Sequence, residues 1–179
     1  MAVPPNTTID FFIDYFDSVA RRLIDDIGHT DQNRKFVPYF EQTNIYTDVN
    51  YNDKFVLILK YETTIQKDSG LQNYVQIHKV KFLVVKNIEL ENKQKYLETI
   101  NTAQLIVNDI FMDMIEQKQT TPNGDYSTWA GFDRNSFQSD NIFDENDFKI
   151  KAGENCVGAM GSFNLLTTFY IKKTRVWAS

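Results

Sequence analysis

The sequence predicts an α+β fold: an antiparallel or mixed β-sheet packed by two long helices, in the order α-β-β-β-α-β-β. Three observations predict it. Apolar residues recur with the 3.6-residue helical period over 9–27 and again over 91–118. Runs rich in aromatic and β-branched residues fill the interval between these helices and follow the second. Short polar or glycine-containing turns, such as Lys67 to Gly70, separate the runs.

In the first helix Ile9, Phe12, Ile13, Phe16, Val19, Ala20, Leu23, Ile24 and Ile27 form one stripe, and Asp and Arg residues fall between them. Thr7 and Asp10 resemble a capping box, and Gly28 is a natural stop. Phe11 and Tyr15 widen the stripe beyond what one sheet face covers, so the core wraps this helix or another chain meets it. Residues 36–47 read as an edge strand, because Pro38 cannot donate to a ladder. Asp48 to Asp53 is turn-like. Residues 54–66, apolar on both faces at their centre, read as the central strand, and 73–86 as a third strand completing an antiparallel meander.

The second helix carries a stripe of Tyr96, Ile100, Ala103, Val107, Ile110, Phe111 and Met114. Leu97, Leu105, Ile106, Met112 and Ile115 broaden it, which predicts cover on two sides. Residues 117–141 are long and polar for a loop, yet hold Tyr126, Trp129, Phe132 and Phe137 as anchors. A short strand is expected at 147–152, a glycine-containing break at Gly153 to Gly161, and a closing strand at 162–177. Phe163, Leu165, Phe169 and Ile171 share one face of that strand.

The chain of 179 residues, 42% of them apolar, supports one domain over 1–179 with an extended arm at about 119–141. A formal charge of -5 argues against a protein that wraps nucleic acid phosphate. Cys156 is the single cysteine, so no intramolecular disulfide forms and a reducing compartment fits. Met1 to Thr8 does not read as a signal peptide, and no run approaches the ~18 to 20 apolar residues of a membrane helix, so a soluble protein without membrane partners is expected.

No motif of catalysis stands out, and the expectation is a non-enzymatic protein with no cofactor and no metal. His29 and His78 have no second ligand at metal spacing; His29 reads as a surface cap after the helix stop and His78 as a solvent-facing strand residue. Cys156, in AGENCVGAMG, lacks a visible base and reads as a small buried thiol at a bend. Asp140, Asp144, Glu145 and Asp147 miss the spacing of a calcium loop and read as a solvated acidic loop. Lys79, Lys81 and Lys86, and Lys172, Lys173 and Arg175, read as guards of exposed strand edges or as one half of a complementary subunit contact.

The element order from Thr7 to Trp177 resembles that of the tail-terminator and neck (head-tail connector) completion proteins of tailed bacteriophages. The resemblance rests on order and size, without a diagnostic motif. It implies a homo-oligomeric ring at the head-tail junction of a virion, assembled in the host cytoplasm, that contacts adjoining neck or tail proteins and lets DNA pass without specific binding. The interface residues it implies are Tyr126, Trp129, Phe132 and Phe137 in the arm and Lys172, Lys173, Arg175 and Trp177 at the strand end. A competing expectation is a small-ligand-binding α+β domain whose pocket is lined by Phe55, Leu57, Tyr61, Phe82, Phe163 and Phe169.

Overall fold

Alternation along three long strands gives the sheet two faces, and the two helices cover one of them. The computed structural model describes residues 9–38, 49, 51, 53–67, 74–88, 92–119, 138–140 and 155–169. Its elements are α1 (Ile9–Arg22), β1 (Phe36–Pro38), β2 (Val56–Lys67), β3 (Tyr74–Asn87), α2 (Lys93–Gln119), β4 (Gln138–Asp140) and β5 (Cys156–Phe169). The sheet order is β1-β2-β3-β5-β4. The α+β class holds.

Helix α1 buries Phe12, Tyr15, Phe16, Val19 and Ala20, one face of a 3.6-residue period. It ends at Arg22, earlier than the apolar pattern suggests. The Leu23 carbonyl accepts the N–H groups of both Ile27 and Gly28, and Gly28, at φ 61°, takes the left-handed turn that most side chains resist. The chain beyond Arg22 therefore leaves the helical phase. Ile24 is thrown outward, 68% exposed, while Ile27 is fully buried.

Strand β1 is an edge strand, as Pro38 requires, but it pairs with β2 in parallel: Phe36, Val37 and Pro38 lie opposite Leu57, Ile58 and Leu59. The expected all-antiparallel meander is thus wrong at its first step. A parallel pair needs a crossover in place of a hairpin, and Val49 and Tyr51 of that crossover pack on the sheet face away from the helices. Of the predicted strand 36–47, only 36–38 is strand among the described residues; 39–47 lie outside them.

The middle strand is β3, flanked antiparallel by β2 and β5. Strand β2 is interior too, paired with β1 and β3, as its apolar residues on both faces suggested, and these residues mark one doubly covered end. Leu57 and Leu59 meet the helices, whereas Val56 and Ile58 meet the crossover. Ile58 accordingly belongs to a second core with Val37, Tyr51, Leu83 and Val85, and does not share the core of α1. Ile13 and Leu23, expected to be buried there, are only partly covered at its margin.

Strand β5 begins at Cys156, so the expected break at Gly153 to Gly161 is in large part strand. Its glycines are there for close approach. A Cβ on Gly158 would lie 1.9 Å from the Val84 carbonyl oxygen, and one on Gly161 would meet the Phe82 ring at 2.3 Å. Cys156 is buried, as expected, but in a regular strand and not at a bend. Strand β4 was not foreseen: three exposed residues of the presumed loop return to pair with Ser162, Gly161 and Met160. The strand predicted at 147–152 and the residues 170–177 of the closing strand lie outside the described residues.

Candidate interaction surfaces and a polar cleft

All eight residues that the sequence suggested for an interface, Tyr126, Trp129, Phe132, Phe137, Lys172, Lys173, Arg175 and Trp177, lie outside the described residues. So do Asp144, Glu145 and Asp147; Asp140 is an exposed residue of β4. The Lys79, Lys81 and Lys86 set is placed otherwise than expected. These residues sit on β3, which is paired on both sides, so they guard no edge. Lys79 lies opposite Glu62, and Lys81 lies opposite Lys60, whose Nζ is 3.5 Å from the Glu62 carboxylate. This cross-strand pattern makes a charged field on the face away from the helices.

On the helix face the aromatic side chains that could have lined a pocket are in contact with one another and with the helices. Phe82 meets Phe16 and Phe111 with ring centroids 5.1 and 5.4 Å apart. Phe12 meets Tyr61 and Phe163 at 5.2 and 6.4 Å. Phe55 and Leu57 are buried beside them, and the Phe169 side chain lies outside the described set.

His78 shares parity with Val80, Phe82 and Val84 and faces the helices, fully buried, so its reading as a solvent-facing residue is corrected. Its Nδ1 lies 2.7 Å from the Tyr61 hydroxyl, and its ring packs on Phe12. Burial pushes the His78 imidazole below its ordinary value. The neutral ring is therefore favoured by the fold; stability is full above the unfolded-chain value of about 6.5 and falls as pH drops from there toward the lower folded value. Urea midpoints should decrease between pH 7.5 and 5.5, and His78→Gln should flatten that slope. An unchanged slope in the variant would remove His78 from the account.

His29 is also buried, against the expectation of a surface cap. Its Nδ1 accepts the Lys35 N–H at 2.9 Å, so the ring proton sits on Nε2 and is donated to Asp17 at 3.0 Å. This bond ties the turn after α1 back to the helix. Lys35, for which the sequence offered no signal, is fully buried with its ammonium on the Asp53 carboxylate.

The two helices are clamped by Asp113. Its carboxylate accepts two bonds from the Arg22 guanidinium, at 2.8 and 2.9 Å, and one from the Tyr15 hydroxyl at 2.7 Å. The Arg22 hydrogen bonds hold the Asp113 carboxyl below the usual carboxylate range, and burial with the adjoining carboxylate pushes the Tyr15 hydroxyl up. Tyr15 thus explains the widened stripe of α1: its polar end reaches α2.

An open cleft of about 320 Å3 lies between the turn after α1 (Asp25, Asp26), the entry to β2 (Asp53, Lys54, Phe55), Lys86 and the first turns of α2 (Lys95, Glu98, Thr99, Thr102). Much of its polarity is committed internally. Lys54 Nζ donates to the Ile24 carbonyl at 2.6 Å, Asp53 holds Lys35, and Thr99 and Thr102 bond the carbonyls of Lys95 and Glu98. The Lys86 ammonium stands 5.7 Å from the Phe55 ring centroid. Among the described residues no group of three or more His, Cys, Asp or Glu is arranged to hold a metal ion. No helix among them is long and apolar enough to cross a membrane.

Helix α2 starts where the Asn92 side chain accepts the Lys95 N–H at 3.0 Å. Ala103, Ile106, Val107, Ile110, Phe111 and Met114 face the sheet. Of the second cover expected for this helix, from the first helix or a neighbouring subunit, α1 meets it at Asp113, but among the described residues nothing lies over its outer face. Leu97, Leu105 and Met112 are 59%, 63% and 52% exposed, and Tyr96, predicted on the inner stripe, is 37% exposed. No protein-family model matches the chain, and no curated protein matches it.

Proposed function

We propose that this chain is a non-enzymatic structural subunit of a tailed-phage virion, acting in a neck or tail ring at the head-tail junction. The observation that carries the reading is the disposition of its apolar side chains. The aromatic residues of the helix face are in mutual contact, with Phe82 held between Phe16 and Phe111, while α2 keeps large apolar residues on its solvent side. A domain built this way acts through its surface. In this reading the arm expected at 119–141, of which residue 119 ends α2 and 138–140 form β4, grips the next subunit or ring through Tyr126, Trp129, Phe132 and Phe137. The basic strand end Lys172, Lys173, Arg175 and Trp177 meets an acidic neighbour. DNA passes the channel without specific contacts.

The test is assembly. Light scattering and negative-stain imaging of the purified chain should show a closed ring. Replacing residues 120–137 by a short Gly/Ser linker, with β4 kept, should preserve the circular-dichroism melt and abolish the ring, because the contacts of the arm are then lost. A ring that persists without the arm would refute the arm's role. A chain that stays monomeric at every concentration would remove the ring itself.

A further inference from the structure

We infer that the outer face of α2 is a two-fold docking surface for a second copy of this chain, paired antiparallel about a point between Gln104 and Leu105. The exposed residues of that face, Leu97, Asn101, Leu105, Asn108 and Met112, follow helical spacing with no charge among them, and Gln104 at their margin is half-buried with its amide on the Ser139 hydroxyl of β4. Their order is palindromic. Reversed about its midpoint, Leu97 falls on Met112, Asn101 on Asn108, and Gln104 on Leu105. A copy running the opposite way therefore meets apolar with apolar at the two ends and amide with amide at Asn101 and Asn108; only the central pair is unlike, and there the axis brings Leu105 beside its own equivalent. Self-complementarity of this kind is what an isologous contact requires.

Charge along the helix points the same way. Helix α2 has no acidic residue in its first turn. It begins with Lys93 and Lys95, followed by Glu98, and carries Asp109 and Glu116 in its second half before Lys118, with Asp113 already spent on Arg22 of α1. That polarity opposes the helix dipole, which favours anions at the start and cations at the end. An antiparallel neighbour compensates it by bringing the basic end of each helix level with the acidic half of the other, Lys93 level with Glu116. From Leu97 to Met112 the face is only about 22 Å long at 1.5 Å per residue and about 10 Å wide, a strip of roughly 220 Å2 against the ~800 Å2 per partner of a stable interface. The pairing is consequently weak and concentration-dependent. It is distinct from a ring contact, which joins unlike surfaces.

The test uses the full chain. Under mild oxidation Leu105→Cys should form a disulfide-linked dimer at least ten times faster than Ile24→Cys, an equally exposed position off the face; the native Cys156 is buried. Leu97→Cys and Met112→Cys should each fail to cross-link alone but should cross-link when mixed, the signature of antiparallel register. Leu105→Asp should abolish the dimer in sedimentation velocity while leaving the thermal melt in place. Equal rates for Leu105→Cys and Ile24→Cys, or a dimer untouched by Leu105→Asp, would overturn the proposal. Ring assembly is scored separately by mass and imaging, so losing one contact while the other persists identifies which reading failed.

Discussion

Phe16→Ala is expected to lower stability by about 3–5 kcal/mol, the range for emptying a large aromatic site in a packed core. Phe16 is fully buried, meets Phe82 at 5.1 Å and stands edge-on to Tyr15 at 5.2 Å. Phe82 is on the middle strand and also contacts Phe111 of α2, so one side chain ties both helices to the sheet centre. The void has rigid walls on three sides and cannot collapse cheaply. In urea the midpoint should fall with an unchanged slope. A loss under about 1 kcal/mol would show that α1 does not sit on the sheet as described.

Gly158→Ala is the second large effect, expected at about 3 kcal/mol or more, the upper end of overpacking costs. The added methyl would sit 1.9 Å from the Val84 carbonyl oxygen and 2.9 Å from the Val85 Cα, atoms of the backbone that cannot rotate aside as a side-chain tip would. Relief requires β5 to move off β3 at the pairing of Gly158 with Val85. Amide exchange should then rise along both strands and leave the α1 turns protected. Wild-type stability in the variant would mean that the strands separate there at little cost.

The helices were legible because their periodicity is local. The first begins where Ile9 was placed, and the second, Lys93–Gln119, is close to the expected 91–118. Strands β2 and β3 were legible for the same reason. Strand order was not, since pairing partners lie far apart in sequence and the parallel partner of β2 leaves no turn signature. Strand β4 escaped because Gln138, Ser139 and Asp140 are all exposed and show no alternation. For His78 two signals conflict: its polar neighbours suggest solvent, whereas its parity with Val80, Phe82 and Val84 points inward, and parity decides. Lys35 had no signal, as its partner Asp53 is brought to it by the fold. Of the surfaces, the surplus apolar residues on α2 could be read from spacing alone. That no part of the described fold covers them could not.

The pairing of β3 with β5 also bears on how the chain reaches its fold. Its partners run from Asn87 with Cys156 to Tyr74 with Phe169, so the intervening chain must be synthesised before the middle strand acquires its second neighbour. Contacts of such sequence separation are slow to close, because loop entropy is spent before they form. During synthesis the hairpin of β2 and β3 therefore waits with one edge of unpaired backbone groups open while nearly seventy further residues emerge. That interval is when the nascent chain is most exposed to strand exchange with another copy and to capture by chaperones.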